Sequence, residues 1–338
     1  MNVMTAAKCF LASKPSVFFR TFRALNETYR AAFVSTAAAE GVLELLRRGP
    51  QEATTIASAL GLDGSVKELE TWLDLGVSLG ELRRDSDGRY RLRGALSRRL
   101  AEPDNDTPLA YLRARIEVIL DYVTKTPERL RRGERFTLDD GIGELFARSS
   151  RTVEPLLFDL VDRVVPETGR CRLLEVGCGS GVYIRRACRR NEELEAVGID
   201  LSRQAADFAR KNLDDWGLGD RVQVETGDIR AFSDGGGFDI VTFYNLIYYF
   251  PESERPAVLG HLYELVRPGG LLVLMTITKG GNPATRTMDL WSTMTEGCGP
   301  LPSRSQLEDQ LDEAGFSPVE LEVSFADFVI CRASRPRA

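Results

Sequence analysis

The chain has 338 residues, is 43% hydrophobic and 28% charged, and carries a net charge of −6. That length leaves room for two domains with cores of their own, and the acidic balance excludes a general nucleic-acid binder, which needs a basic footprint. A single histidine and six cysteines, none in a C-x-x-C pair, exclude a Cys/His zinc site, and no run of eighteen apolar residues exists to span a membrane.

The first residues carry Lys8, Lys14, Arg20 and Arg23 but no continuous apolar run and no cleavage site, so no signal peptide is expected. Reduced thiols and the absence of a leader point to the cytoplasm. Apolar residues at helical spacing predict a helix over 22–48, stopping at Gly49-Pro50. A short helix over 54–62 and a second over 66–79 follow. A hairpin comes next, Leu82 to Arg84 and Arg89 to Leu92 around the turn Asp85-Ser86-Asp87-Gly88. Helix, turn, helix, hairpin is a winged-helix order. The helix that would read DNA sets Lys67 against Glu68, Glu70 and Asp74, a face that phosphate repels. Arg83, Arg84, Arg89, Arg91 and Arg93 on the hairpin do not outweigh it, and the unit reads as a dimerisation and substrate-covering module.

Residues 107–132 predict another amphipathic helix, 136–142 a loop, and 145–165 a helix leading into the central strand. From Cys171 onward, strands at 173–176, 196–199, 222–225, 240–243 and 271–276 alternate with helices at 182–190, 202–216 and 253–266, the pattern of a parallel α/β sheet. An irregular segment is expected from Lys279 to Pro302. Ser303 and Gln306 have capping-box spacing for a helix ending near Gly315. The last strands, 319–325 and 328–332, are joined too tightly for a parallel crossover, so an antiparallel hairpin at the sheet edge is implied. The expected division is a winged-helix domain over 1–100, a helical linker or lid over 101–150, and an α/β domain over 151–338.

The chemistry centres on Leu173-Leu174-Glu175-Val176-Gly177-Cys178-Gly179-Ser180-Gly181, a buried strand running into a glycine turn ahead of a helix. Glycines there admit close approach of a ligand, and the helix behind presents its positive end. Gly177, Gly179 and Gly181 make G-x-G-x-G, while the third glycine of the dinucleotide fingerprint is replaced by Val182. Asp200 ends the second strand of the α/β region and could accept ribose hydroxyls. Asp228 ends the third and could accept an adenine amino group. Glu175 could brace the loop or meet a ligand ammonium. Together these acids at strand ends point to S-adenosylmethionine (SAM) rather than NAD.

The stretch Leu174 to Gly181, with Asp200, Asp228 and Leu265-Val266-Arg267-Pro268-Gly269-Gly270, resembles the class I SAM-dependent methyltransferases. The resemblance implies a Rossmann-like, seven-stranded methyltransferase sheet with a terminal antiparallel hairpin. The N-terminal unit is similar to the winged-helix dimerisation domain of small-molecule O-methyltransferases, which implies a homodimer acting on a small-molecule acceptor, without metal, membrane or nucleic acid. By that resemblance Glu175, Gly177, Cys178, Gly179, Gly181, Asp200, Leu201, Gly227, Asp228, Ile229, Tyr244 and Asn245 hold SAM. Tyr244, Tyr248, Tyr249, Met288 and Trp291 face the acceptor.

One departure stands out. Plant-type members of the family place a histidine base after the fourth strand, and here that position is Tyr248. The one histidine, His261, falls within a predicted helix and reads as an ordinary helix residue. Methyl transfer is therefore expected to run on alignment and desolvation, with Tyr248 as polar helper. O-methylation of a partly aromatic bacterial metabolite is the leading expectation; C- or N-methylation, or a SAM-fold transcriptional regulator, are the alternatives.

Overall fold

The structure is a computed structural model that describes residues 15–138, 140–323 and 327–337. Two compact units divide it: the chain through Leu120 together with Asp140–Thr152, and Asp121–Asp139 together with Val153 to the C-terminus. The segment expected as a linker over 101–150 is thus shared between both.

In the first unit, helix α1 (Pro15–Ala39) gives way to α2 (Val42–Arg47) at Gly41, whose φ of 78° ends the helix expected to run unbroken to Arg48. Helices α3 (Ala53–Ala59) and α4 (Val66–Ser78) and the hairpin β1 (Leu82–Arg84) with β2 (Tyr90–Leu92) complete the winged-helix order. Its core joins Val34, Leu43, Ile56, Leu73, Leu82 and Tyr90. The buried Glu81 carboxylate binds Arg30 at 3.0 Å and the Ser97 amide at 2.9 Å, tying α1 to α5 (Ala95–Leu100). Four of the hairpin arginines are spoken for: Arg83 and Arg91 meet Asp85, Arg84 meets Glu70, and Arg89 meets Asp87. Helix α6 (Asp106–Arg113) runs into a π-helical turn at Ala114–Ile119, followed by α7 (Leu120–Arg132); α8 covers Asp140–Ser150.

The second unit is built on a seven-stranded sheet in the order β5-β4-β3-β6-β7-β9-β8. Its strands are β3 (Cys171–Val176), β4 (Leu194–Asp200), β5 (Val222–Thr226), β6 (Phe238–Tyr244), β7 (Val266–Ile277), β8 (Val319–Val323) and β9 (Phe328–Ser334). The first five pair in parallel, and β9 lies antiparallel to both β7 and β8, as the tight final connection required. Phe325, expected to end β8, lies outside the described residues. Helices α9 (Glu154–Val164), α10 (Val182–Arg190) and α11 (Arg203–Asp215) cover one face, packing Leu157, Ile184, Ala187, Ala209 and Leu213 onto Leu173, Ala196 and Ile240. On the chain follow α12 (Arg255–Leu265), α13 (Pro283–Met294) and α14 (Arg304–Glu313), the last with the expected capping box. Helix α13 corrects the irregular segment expected over 279–302. Asn282 caps it by accepting the Thr285 amide at 2.9 Å, Pro283 opens it, and Asp327 grips both Asn282 and Thr285. Among the described residues no helix is long and apolar enough to cross a membrane.

The order of strands places β3 between β4 and β6, where the chain switches direction across the sheet. Ligands of open α/β sheets sit at the carboxyl ends of the strands flanking that switch.

Candidate active site

The glycine loop leaves β3 at its carboxyl end. Gly177, Gly179 and Gly181 have φ of 67°, 53° and 75°, the left-handed region that side chains resist. Three amides of this loop are already committed within the protein. Gly177 and Cys178 both donate to the Ile199 carbonyl, at 2.7 and 3.1 Å, and Gly179 donates to Asp200 Oδ2 at 3.0 Å. The glycines supply shape instead. A Cβ on Gly177 would lie 2.8 Å from Leu246, and one on Gly179 would meet only the Gly177 carbonyl oxygen, at 4.0 Å. Gly181 caps α10 in a left-handed conformation and sits against Leu213.

Cys178 is buried and its thiol is pushed up by that burial, which suits an inert wedge rather than a nucleophile. Its space comes from Gly198 on β4, a position sequence reasoning passed over. A Cβ there would stand 3.0 Å from Cys178 Sγ and from Ile184 Cδ1. A glycine inside a strand pattern is the signal that marks such a close approach. Gly198→Val is expected to lose about 1–3 kcal/mol of stability through overpacking, read as a drop in Tm. An unchanged Tm would mean the loop can step aside.

Two acids lie near these strand ends. Glu175 is only 2% exposed and lies in register with Gly198 and Thr242. Burial holds its carboxyl well above the usual carboxylate range, against the opposing hydrogen bond from the Ile184 amide, and the nearby Asp200 charge adds to the rise. Asp200 binds the amides of Gly179 and Ser202, at 3.0 and 2.9 Å, and burial raises its carboxyl as well. Each Asp200 oxygen keeps a second lone pair. Leu201, next in the chain, is 73% exposed, an apolar surface at the mouth of the site.

At the end of β5, the Gly227 amide donates to the Asp200 carbonyl at 2.9 Å. Asp228 caps the turn Ile229–Ala231 by accepting the Arg230 amide, and Arg230 also holds its side chain and that of Glu254. That guanidinium keeps the Asp228 carboxyl below its ordinary value. Ile229 is buried beside it.

At the end of β6, the Tyr244 hydroxyl and Asn245 Oδ1 are buried with no hydrogen-bond partner among the described residues. Asn245 adopts φ of 56°, and its amide extends the sheet to Met275 at 2.7 Å. Tyr244 meets Tyr183 edge to face at 5.6 Å, and burial first, then the Glu175 charge, hold its hydroxyl well above the usual range. Tyr183, from the first turn of α10, was not anticipated. Leaving buried polar atoms unpaired costs stability, and a ligand that supplied partners here would relieve that cost.

Beyond Asn245, Tyr248 and Tyr249 form a 3-10 turn with Ile247. Trp291 is buried behind them, its ring at 6.3 Å from Tyr248 and 5.6 Å from Tyr249, while Met288 is half-buried one turn earlier on α13. The Gly299 amide donates to the Tyr248 carbonyl at 3.0 Å. The buried Arg255 guanidinium binds the carbonyls of Phe250 and Pro300, clamping both sides of this turn. His261 Nε2 contacts the Phe232 carbonyl at 2.9 Å, which accounts for the only imidazole without catalysis.

SAM brings a sulfonium, an ammonium and a ribose diol. Buried acids at Glu175 and Asp200, an exposed apolar Leu201, and unpaired polar atoms at Tyr244 and Asn245 fit those groups. A seven-stranded sheet with an antiparallel end and this loop at its switch point defines a class I SAM-dependent methyltransferase.

Comparison with known proteins agrees. A family model described as a methyltransferase domain matches residues 111–321, more than half of the sequence, and the chain belongs to that family. The demethylspheroidene O-methyltransferase of Cereibacter sphaeroides is 24% identical over 295 residues, covering 83% of this chain and 76% of its own. The L-tyrosine C(3)-methyltransferase of Streptomyces lavendulae is 25% identical over 309 residues, covering 85% and 83%. A "Probable fatty acid methyltransferase" of Mycobacterium tuberculosis is 37% identical over 114 residues, a match that spans 34% of this chain and only 26% of that protein. Among solved structures, the mitomycin 7-O-methyltransferase MmcR superposes with a TM-score of 0.78 at 21% identity, over 96% of this chain and 99% of its own. The protein is a SAM-dependent methyltransferase.

Proposed function

We propose that this enzyme methylates the oxygen of a small, partly aromatic metabolite, binding SAM through Glu175, Asp200, Leu201, Asp228, Ile229, Tyr244, Asn245 and the Gly177–Gly181 loop. The observation that carries it is the pair of unpaired, buried polar atoms on Tyr244 and Asn245, at the end of the strand that pairs with the one leading into the glycine loop. SAM supplies an electrophilic methyl group on a sulfonium, so the leaving group needs no acid. The protein's part is to exclude water and align the acceptor, worth up to roughly 7–11 kcal/mol in favourable cases. The aromatic rings of Tyr244, Tyr248 and Tyr249, with Met288 and Trp291 behind, suit an aromatic acceptor. A relative named as an O-methyltransferase and one named as a C-methyltransferase match this chain to similar extents, so carbon attack is the second reading, favoured by the lack of an imidazole base at the site.

Incubating the protein with methyl-labelled SAM and a panel of phenols, catechols and aromatic amino acids tests the reading. Label transferred to oxygen supports it. Transfer only to carbon favours the second reading, and transfer to none of these compounds sinks both. On whichever acceptor reacts, Tyr248→Phe is expected to lower kcat by about 10–100-fold while leaving the Kd for SAM unchanged. An unaltered kcat would remove Tyr248 from the mechanism.

A homodimer built on the first unit accompanies this function, in the cytoplasm, where the five described cysteines, all free and buried, stay reduced. Helix α1 exposes Phe18, Phe22, Leu25 and Tyr29 along one face, each at least 42% exposed. An apolar stripe of that size calls for a partner surface, and a second copy pairs the same patch with itself. Phe18→Asp with Phe22→Asp is expected to convert the dimer to monomer in light scattering. A wild-type protein that is already monomeric would refute the assembly.

A further inference from the structure

A cleft of about 470 Å³ opens within the second unit, and Arg135, Glu252, Ser253, Thr293, Cys298 and Gly299 line it. That volume suits a small organic molecule. Its walls continue the segments that carry the aromatic cluster. Glu252 and Ser253 follow the Ile247–Tyr249 turn, Thr293 lies on α13 just beyond Trp291, and the Gly299 amide donates to the Tyr248 carbonyl at 3.0 Å. Burial first, then the charges of Cys298 and Asp200, hold the Tyr249 hydroxyl above its usual range, so Tyr249 lies within electrostatic reach of both the cleft and the end of β4.

Arg135 is fixed through its backbone. Its carbonyl accepts Arg129 Nη1 at 2.9 Å. The next residue, Phe136, donates its amide to the Met294 carbonyl at 2.9 Å and accepts the Glu296 amide at 2.8 Å, and its ring stacks on Tyr122. The guanidinium carried on this rigid base has no carboxylate partner among the described residues. Glu252, the one carboxylate lining the cleft, accepts Gln306 Nε2 at 3.0 Å instead. Ser253 and Thr293 are exposed, and their hydroxyls make no hydrogen bond among the described residues.

A second cation stands behind the wall. Arg255 is 1% exposed, and its Nε and Nη2 bind the carbonyls of Phe250 and Pro300 at 3.2 and 2.6 Å, with no carboxylate at ion-pair distance among the described residues. A Cβ on Gly299 would come 2.8 Å from Arg255 Nη2, so this lining residue lies directly on the buried guanidinium. Carbonyls satisfy N–H groups but leave the net charge in place, and an arginine keeps its proton. Two guanidiniums against one committed carboxylate make the cleft electropositive in a chain whose net charge is −6. A planar carboxylate matches the free fork of Arg135 and also accepts from hydroxyls.

We propose that this cleft binds a small organic acid, with its carboxylate on Arg135 and the Ser253 and Thr293 hydroxyls assisting. The acid is the methyl acceptor itself or a separate ligand; both present the same carboxylate, and the experiment separates them. Assignment to the acceptor rests on the small-molecule methyltransferase reading above, whereas the binding site does not.

Full-length protein is titrated calorimetrically with benzoate, phenylacetate and 4-hydroxybenzoate, and with the matching amides. Wild type is expected to bind at least one acid about ten-fold or more tighter than its amide. Arg135→Met is expected to bring each acid and amide to within about two-fold at an unchanged Tm, with Arg135→Lys between the two. Arg131→Met, which removes a neighbouring exposed arginine outside the cleft, is expected to keep the wild-type preference. Equal binding of acids and amides by wild type, no binding of any acid, a preference that survives in Arg135→Met, or one lost equally in Arg131→Met overturns the proposal. A fall in Tm in Arg135→Met overturns it too, by showing a structural arginine. The acid that binds is then incubated with methyl-labelled SAM. Label on the acid, with KM raised about ten-fold in Arg135→Met at unchanged kcat, makes it the acceptor. Binding without label assigns the cleft to a separate acid and overturns the assignment to the acceptor alone. If wild type fails to bind SAM at all, it is the methyltransferase reading that fails, and the acid preference is read independently of it.

Discussion

Asp200→Ala is expected to raise the Kd for SAM by about 100-fold or more. The carboxylate stands at the carboxyl end of β4, and its oxygens already hold the amides of Gly179 and Ser202 at 3.0 and 2.9 Å. The same two oxygens keep lone pairs for a ribose diol. Hydrogen bonds to a charged group contribute about 1.5–3 kcal/mol each, so losing two accounts for a factor of this size before the loop itself relaxes. Asp200→Asn keeps the volume and one acceptor and is expected to lose about ten-fold. Titration calorimetry on the three proteins reads both steps. An alanine variant with wild-type affinity would show that the ribose is held elsewhere.

Glu175→Gln is expected to move stability and binding in opposite directions. The folded chain holds the Glu175 proton more tightly than the unfolded chain, because burial lifts the carboxyl above its ordinary 4.5. Its contribution to stability is therefore fully present below that ordinary value and is lost as pH rises through the raised folded value. Glutamine has no proton to lose and can still accept the Ile184 amide. At neutral pH the variant is expected to gain roughly 1 kcal/mol, about 2–4 °C in Tm for a unit of this size. The gap should narrow as the pH is lowered toward the ordinary carboxylate range, where wild type regains its proton. SAM affinity is expected to fall about ten-fold, since an ammonium would lose its buried counter-charge. A Tm gap that does not vary with pH would show that Glu175 titrates normally. A higher Tm with unchanged SAM affinity would leave it a structural acid.

The sequence by itself determined the sheet, the place of the loop and the edge hairpin. These depend on signals a few residues long: apolar runs, glycines at fixed offsets, a connection too short for a crossover. Asp200 and Asp228 were legible for the same reason, since a strand end and the residue that ends it are neighbours in the chain. Helix α13 was missed because its aliphatic pattern is thin. Its cap is secured by Asp327, 45 residues beyond Asn282, and such a partner leaves no local trace. Gly41 was read through because a single left-handed residue interrupts an otherwise continuous helical pattern.

What only the tertiary structure decided is which polar groups are already satisfied. The sequence showed that the loop glycines admit a ligand closely, and only the structure shows that the Ile199 carbonyl and Asp200 take the amides of Gly177, Cys178 and Gly179. Tyr244 and Asn245 were expected beside SAM from the family resemblance, but only the structure shows that a buried polar atom on each has no hydrogen-bond partner among the described residues. Hydrogen-bond satisfaction is a property of everything that surrounds a group, assembled from distant parts of the chain. Sequence periodicity reports which face of an element is apolar, and it carries no record of that accounting.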